Sequence, residues 1–399
     1  MNPTTATTDV LLARQPIYDE ALRVVAYELL AQRPDGSPAA EEADAASITE
    51  LGLNLVMGQP AYIPLSRAFL LQGHANALPS DRVVLQVGPE LLLDRAALDG
   101  LQELARSGYR LALVDFESGG PLEELLPLAS VVALDVQALD RGPLRSEMAA
   151  LRFRPVQLLA RGVEDHEQLA LAQELDFDLF HGYFFCRPRV LRESGVHVNR
   201  LNRIRLLAAL QHAELDIDAV QTAISHDVAL SYNLLRFINS AFFSLPRRVE
   251  SIRDAVVLLG TSNVRKWATL MALAEVDDKP HELVVTGLVR ARFCELLAQA
   301  CGYEDSDGFF TAGLFSVVDA LMDASLVELL AQLPLSSEII EALLNHEGRK
   351  GRVLHAVIAY ERGKFGELGN LPPMRQPLSD LYGQAVGWAT DASGVMAAA

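Results

Sequence analysis

The chain has 399 residues, half of them apolar, and a formal net charge of −18 at pH 7. That length suits two domains of about 200 residues, each able to bury its own core. The acidic balance argues against a nucleic-acid polymer as partner, since phosphate neutralisation needs a basic face. No apolar run reaches the roughly 18 residues that a membrane span requires, so no membrane insertion is expected.

The opening "MNPTTATTDV" lacks the basic start and apolar core of a secretory signal. Cys186, Cys294 and Cys301 form no CxxC pair, and reduced thiols in a cytoplasmic protein are the expected reading. In the first half, short β-type runs follow one another: "VLLARQPI", "RVVAYELL", "AYIPLS", "RVVLQVG", "RLALVDF", "SVVALDV", "PVQLLAR" and "FDLFHGYFF". Amphipathic stretches separate several of them, as with Ile48, Leu51 and Leu55 at helical spacing. Strands alternating with helices predict a largely parallel sheet, and seven or eight in under 200 residues predict a compact TIM-like β/α barrel. Active sites of such barrels lie at the C-terminal ends of strands. Glu28 falls there, before a Pro-Asp-Gly turn, as do Asp115 after "LALV" and Asp135 after "VVAL". A carboxylate so placed needs a metal ion or a cation beside it.

The arginine-rich stretch from Arg187 to Arg205 marks the expected junction, with a barrel over residues 1–196 and an all-helical domain over 197–399. An anchored phosphate is the other use for those arginines, but pairing with acidic neighbours at a junction is favoured. Beyond it the period changes to that of helices. Ile217, Val220 and Ile224 form one stripe, and Leu230, Leu234, Phe237 and Ile238 another. "SIRDAVVLLG" opens with Ser251 and Asp254 in capping-box spacing and closes on Gly260. The terminal "DASGVMAAA" is expected to fray.

In order along the first half, "ARQPIYD", "AYELL", "ARGVED" and "FHGYFFCRP" resemble the EAL domain, a TIM-like barrel that hydrolyses cyclic di-GMP. "LSYNLLRFINSAFFSLPRRVESIRDAVVLLG" resembles the HDOD domain, a helical module related to HD-type phosphohydrolases. Together the resemblances cover nearly the whole chain and match bacterial signalling proteins that join a degenerate EAL domain to an HDOD domain. By resemblance, hydrolysis uses divalent metals held by several carboxylates. Glu28 stands at the glutamate that names the family. The next ligand positions map to Pro64, Gln86 and Val114, with Asp115 kept beside the last. The family lysine maps to Ala133, before Asp135. Arg161 replaces a glutamate, Glu164 is kept, and His181 replaces a glutamine. The expected pocket is therefore vestigial: Gln15, Glu28, Arg33, Asp115, Asp135, Arg161 and Glu164, with a Glu28–Arg161 pair in place of metal. Gln15 lies in a "QPI" string that touches nucleotide in relatives, while the family arginine maps to Gln32. Arg33, next to it, would point to the other face of the strand. Binding of cyclic di-GMP is disfavoured, and no cofactor is expected.

In the helical half, His226-Asp227 imitates a metal-binding pair, but its context fits a helix start, with Asp227 as cap. The position of the HD pair maps to Ser316-Val317, and His346 and His355 lack a third ligand. Phe237, Phe242 and Phe243 are expected in the core. Arg236, Asn239, Ser240, Arg247 and Arg248 are the candidate interaction surface, where Asn239 and Ser240 either cap backbone at the turn or line a groove. The resulting expectation is a non-catalytic scaffold that meets protein partners in cyclic-di-GMP-linked regulation. A non-hydrolysing cyclic-di-GMP sensor and an active phosphodiesterase are the alternatives.

Overall fold

Eight short runs of valine, leucine and alanine pair in chain order into one closed barrel. The strands are β1 (Leu11–Asp19), β2 (Val24–Gln32), β3 (Ala61–Pro64), β4 (Val83–Val87), β5 (Arg110–Leu113), β6 (Ala129–Asp135), β7 (Gln157–Arg161) and β8 (Leu179–His181). The computed structural model describes residues 10–33, 52–93, 95–137, 141–189, 198–211, 217–225, 227–245, 247–274, 279–369, 371–374 and 376–398. The Pro-Asp-Gly turn after Arg33, Ile48, Leu51, His226 and the expected boundary at residues 196 and 197 lie outside those residues.

The sheet is parallel except at β1, which runs antiparallel to both β2 and β8. The cause is local. Only a tight turn links β1 to β2, closed by Asp19 and Arg23, and a turn that short permits antiparallel pairing alone. Between later strands the chain has room for helices, among them α1 (Arg67–Leu71), α2 (Arg95–Arg106), α3 (Arg141–Leu151) and α4 (His166–Glu174). Ala97, Leu101 and Leu104 form the buried face of α2, and Asp165 caps α4 by accepting from the Gln168 amide.

Side chains alternate across each strand, so every second residue points into the barrel. Ile17, Ala26, Tyr62, Val84, Ala112, Val131, Ala133, Leu159 and Leu179 make one buried cluster there. Two residues beyond this layer, towards the C-terminal ends of the parallel strands, the same parity selects Glu28, Pro64, Gln86, Val114, Asp135, Arg161 and His181. Gln15, paired across β1–β2 with Glu28, completes the ring. The compact barrel unit takes in Met1–Phe185, Ala359–Leu368 and Pro377–Gly383. Within it the Leu12 amide donates to the buried Tyr360 hydroxyl, and the Tyr183 hydroxyl donates to the Glu361 carbonyl.

The second unit is helical and comprises Cys186–Ile358, Gly369–Gln376 and Gln384–Ala399. Its helices include α5 (Val198–Gln211), α6 (Ile217–Ser225), α7 (Val228–Ile238), α8 (Ile252–Leu259), α9 (Thr261–Ala274), α10 (His281–Ala300) and α11 (Ser306–Phe315). Shorter and later ones follow: α12 (Val318–Met322), α13 (Leu326–Leu330), α14 (Ser337–Asn345), α15 (Gly348–Glu361) and α16 (Leu378–Ala398). Asp227 caps α7 through the Leu230 amide, and Ser251 caps α8 through the Asp254 amide. Gly260 ends α8 at a positive φ of 84°, as its position after the apolar stripe predicts. Phe237 is fully buried and stacks with Phe242, Phe243 and Trp267, centroid to centroid within 5.5 Å. The expectation that residues 391–399 fray is corrected by α16, which continues to Ala398. Alanine favours helix, and buried Ala392 and Ser393 anchor this last stretch.

Two glycines permit close approaches that no other residue allows. Gly182 has φ of 144°, and a Cβ there would lie 2.1 Å from the Val163 carbonyl oxygen. Gly313 of α11 packs so tightly on α10 that a Cβ would meet the Arg290 carbonyl at 2.5 Å. Gly182→Ala should cost about 2–3 kcal/mol through backbone strain. Gly313→Ala should cost roughly 1–3 kcal/mol through overpacking. Urea unfolding followed by circular dichroism checks both, and an unchanged midpoint for Gly182→Ala would show that β8 can relax away from Val163.

Candidate functional site

At the C-terminal end of the barrel the inward ring is organised by one buried carboxylate. Glu28, on β2, is 2% exposed. Its Oε1 accepts from Arg161 Nη2 at 3.2 Å and from Gln86 Nε2 at 3.1 Å. His181 Nε2 stands 2.9 Å from Oε2, close enough for an ion pair when protonated but off the line of a well-formed hydrogen bond. Burial drives the Glu28 carboxyl upward, yet His181, Arg161 and the Gln86 amide outweigh it and hold the group at about 2. The side chain is thus an anion held by donors from β4 and β7, with the His181 ring of β8 beside it.

The other expected pocket residues do not all join this cluster. Asp115 follows β5 at a positive φ of 54°, with its side chain 65% exposed and a loose 3.9 Å contact to Arg161 Nη1. Asp135 ends β6 and accepts from the Gln137 amide at 2.7 Å. Glu164 lies 4.0 Å from Arg362, a residue that the strand pattern gave no reason to place here. Gln15 shares the register of Glu28 across β1–β2, whereas Arg33 lies one residue past the end of β2. His181 and Gln86 were read in the sequence only as replacements at family positions. Their common inward parity with Glu28 was the signal that could have made them its partners.

In the helical unit the five candidate surface residues do come together. Arg236, Asn239, Ser240, Arg247 and Arg248 line one hollow of about 920 Å³ between the end of α7 and the loop before α8. Asn239 holds that loop. Its amide donates to the Leu235 and Val249 carbonyls, and its oxygen accepts from the Val249 amide, each at 2.8 Å. Of the two roles open to Asn239, backbone capping is the one its side chain performs. Ser240 Oγ is buried and has no hydrogen-bond partner among the described residues. Elsewhere in the unit, Ser316 Oγ receives the buried Arg290 guanidinium at 3.3 Å. The rings of His346 and His355 meet with centroids 5.6 Å apart, and burial, with His355 close by, pushes the His346 imidazole down.

Comparison with known proteins places both halves. Residues 202–361 match the model of the HDOD domain. An uncharacterized Bacillus subtilis protein, YuxH, is 28% identical over 400 residues, covering 95% of this chain and 98% of its own. The cyclic di-GMP phosphodiesterase CdgJ of Vibrio cholerae is 30% identical over 370 residues, covering 89% of this chain and 85% of its own. Among solved structures, a calcium and cyclic-di-GMP complex of Klebsiella pneumoniae BlrP1 is 21% identical, covering 47% of this chain and 58% of its own, with a TM-score of 0.37. The EAL enzyme Bd1971, bound to cAMP and cyclic di-GMP, is 16% identical, with coverages of 44% and 61% and a TM-score of 0.38. The chain spans about three fifths of the length of these two solved chains.

The Glu28 cluster has a pH signature. A carboxyl held at about 2 against an ordinary 4.5 gives stability that is fully present above pH 4.5 and lost as pH falls towards 2. The contribution is on the order of 3 kcal/mol, discounted to the extent that Arg161 reaches solvent. Melting temperatures measured from pH 6 to pH 2 should fall across that window, and Glu28→Gln should remove part of the slope. Identical slopes for the two proteins would show that Glu28 carries no such linkage.

Proposed function

Because the chain belongs to the EAL–HDOD family, we propose that it is a non-catalytic cytoplasmic scaffold of cyclic-di-GMP-linked signalling that acts through protein–protein contacts. The observation that carries this reading is the occupancy of Glu28. Both carboxylate oxygens face donors, and the Arg161 guanidinium stands 3.2 Å away, where a metal ion would compete with a fixed positive charge. The ring does not fit the divalent pair that the family's hydrolysis uses. Pro64 and Val114 offer no ligand atom, and Gln86 directs its amide hydrogens to Glu28. Beside Arg161, Asp115 adds only a largely exposed carboxylate, 3.9 Å away. With the charge of Glu28 satisfied inside the protein, the remaining resource is surface, offered by a barrel over 1–196 and a helical domain over 197–399.

A second reading draws on the activity for which the Vibrio relative is named: hydrolysis of cyclic di-GMP by a rearranged ring. Incubation of the full chain with cyclic di-GMP and magnesium or manganese separates the two. The scaffold reading expects no linear dinucleotide above a protein-free control. Product that scales with protein and disappears in Glu28→Gln would sink it. Calorimetric titration of cyclic di-GMP in the same buffers should show no saturable binding, and saturation without turnover would assign the barrel a sensor's role instead.

A further inference from the structure

We infer that the arginine-lined hollow at the end of α7 is a docking groove for an acidic protein segment that carries an aliphatic anchor residue. The inference rests on the protein-contact reading above and supplies the chemistry of the partner. The chain has 52 acidic against 34 basic side chains. At this hollow the balance reverses, with Arg236, Arg247 and Arg248 gathered on a lining that carries one carboxylate, Glu250, and with Asp254 3.8 Å from Arg247. Arg248 is exposed and has no ion-pair partner among the described residues. An acidic ligand is repelled by most of this molecule and attracted here, which steers it to one face.

The floor decides what kind of acid fits. Leu235, Leu245 and Val249 line it, so the groove offers aliphatic contact beneath a charged rim. One aromatic ring, Tyr232, also lies on the lining and is 63% exposed, so a nucleotide base is the competing ligand that the test below includes. A peptide carrying carboxylates and one leucine-like side chain satisfies both surfaces. The three hydrogen bonds of Asn239 hold the loop in place before any partner arrives. A preformed groove lowers the ordering cost of binding.

The test uses the full chain and short fluorescein-labelled peptides, read by fluorescence anisotropy. One peptide is rich in Glu and Asp around a central Leu, a second replaces that Leu by Ser, and a third replaces the acids by Lys. The acidic Leu peptide should bind and the Lys peptide should not. Affinity should drop by roughly tenfold or more in Arg248→Glu and in Arg236→Glu, and by less in Arg248→Gln, which removes the charge without reversing it. Raising salt from about 50 to 300 mM should weaken binding, and the Ser peptide should bind less tightly than the Leu peptide. Arg145→Glu, the same charge change on the exposed face of α3, is the control and should leave binding close to wild type. Equal loss in Arg145→Glu and Arg248→Glu, equal binding of acidic and basic peptides, or saturable GTP binding lost in Arg248→Glu without peptide binding would each overturn the inference. Cleavage of cyclic di-GMP would sink the scaffold reading whatever the peptides do. Failed peptides without cleavage leave that reading standing, with its surface elsewhere.

Discussion

A carboxylate taken out of water must have its charge balanced nearby, and much of this barrel's upper end is arranged around that demand by Glu28. Desolvating an ion costs several kcal/mol after relaxation, and it is tolerable only with well-placed partners. Closure of the sheet supplies them. Each of the eight strands sends an inward side chain to the same level, so residues 58 and 133 positions away from Glu28 in sequence become its neighbours. The ring is therefore one electrostatic unit. Replacing a glutamate by Arg161 brings a positive charge to Glu28, and Gln86 and His181 complete the enclosure.

The helical unit treats its mapped metal position in a comparable way. Ser316 and Val317 stand where the resemblance puts an HD pair, and Arg290, only 3% exposed, reaches Ser316 Oγ. Burial pushes the carboxyl of nearby Asp319 upward, against the opposing influence of the neighbouring Ala320 amide and the Arg290 charge. In each unit, then, a guanidinium stands at or beside a position that the resemblance maps. A guanidinium satisfies acceptors in fixed directions and cannot lose its proton.

The barrel was legible in the sequence because its strands are short, apolar and separated by helical stretches, and because parity assigns faces without coordinates. The same parity could have gathered Gln86 and His181 around Glu28. What a linear pattern cannot supply is which inward neighbours turn towards one another, since that depends on side-chain rotamers across the ring. Asp115 illustrates the limit: its identity suggests a ligand, but its exposure and its contact with Arg161 go with a left-handed backbone that residue type does not announce. The antiparallel β1 is readable from the brief link to β2, which is too short for a crossover. Inclusion of Ala359–Leu368 and Pro377–Gly383 in the barrel unit had no such signal, because it depends on contacts such as Tyr360 with the Leu12 amide, far apart in sequence. In the helical unit, caps at Asp227 and Ser251 were legible from residue type and spacing, whereas the three bonds of Asn239 needed the fold.

Placement of positive charge distinguishes the surface of the helical unit from its interior. Arg290 is buried, and Lys350 is buried between Asp305 and Glu338. Lys266 likewise sits between Glu295 and Asp307, over the ring of Phe310. These cations balance acids within the fold and leave little field outside. Arg236, Arg247 and Arg248 are exposed around one hollow, on a chain whose overall field is negative. Exposed arginine pairs contribute little to stability, so the 3.8 Å contact of Arg247 with Asp254 adds little to the fold. Arginine at a surface hollow is instead a residue type in which recognition hot spots are enriched.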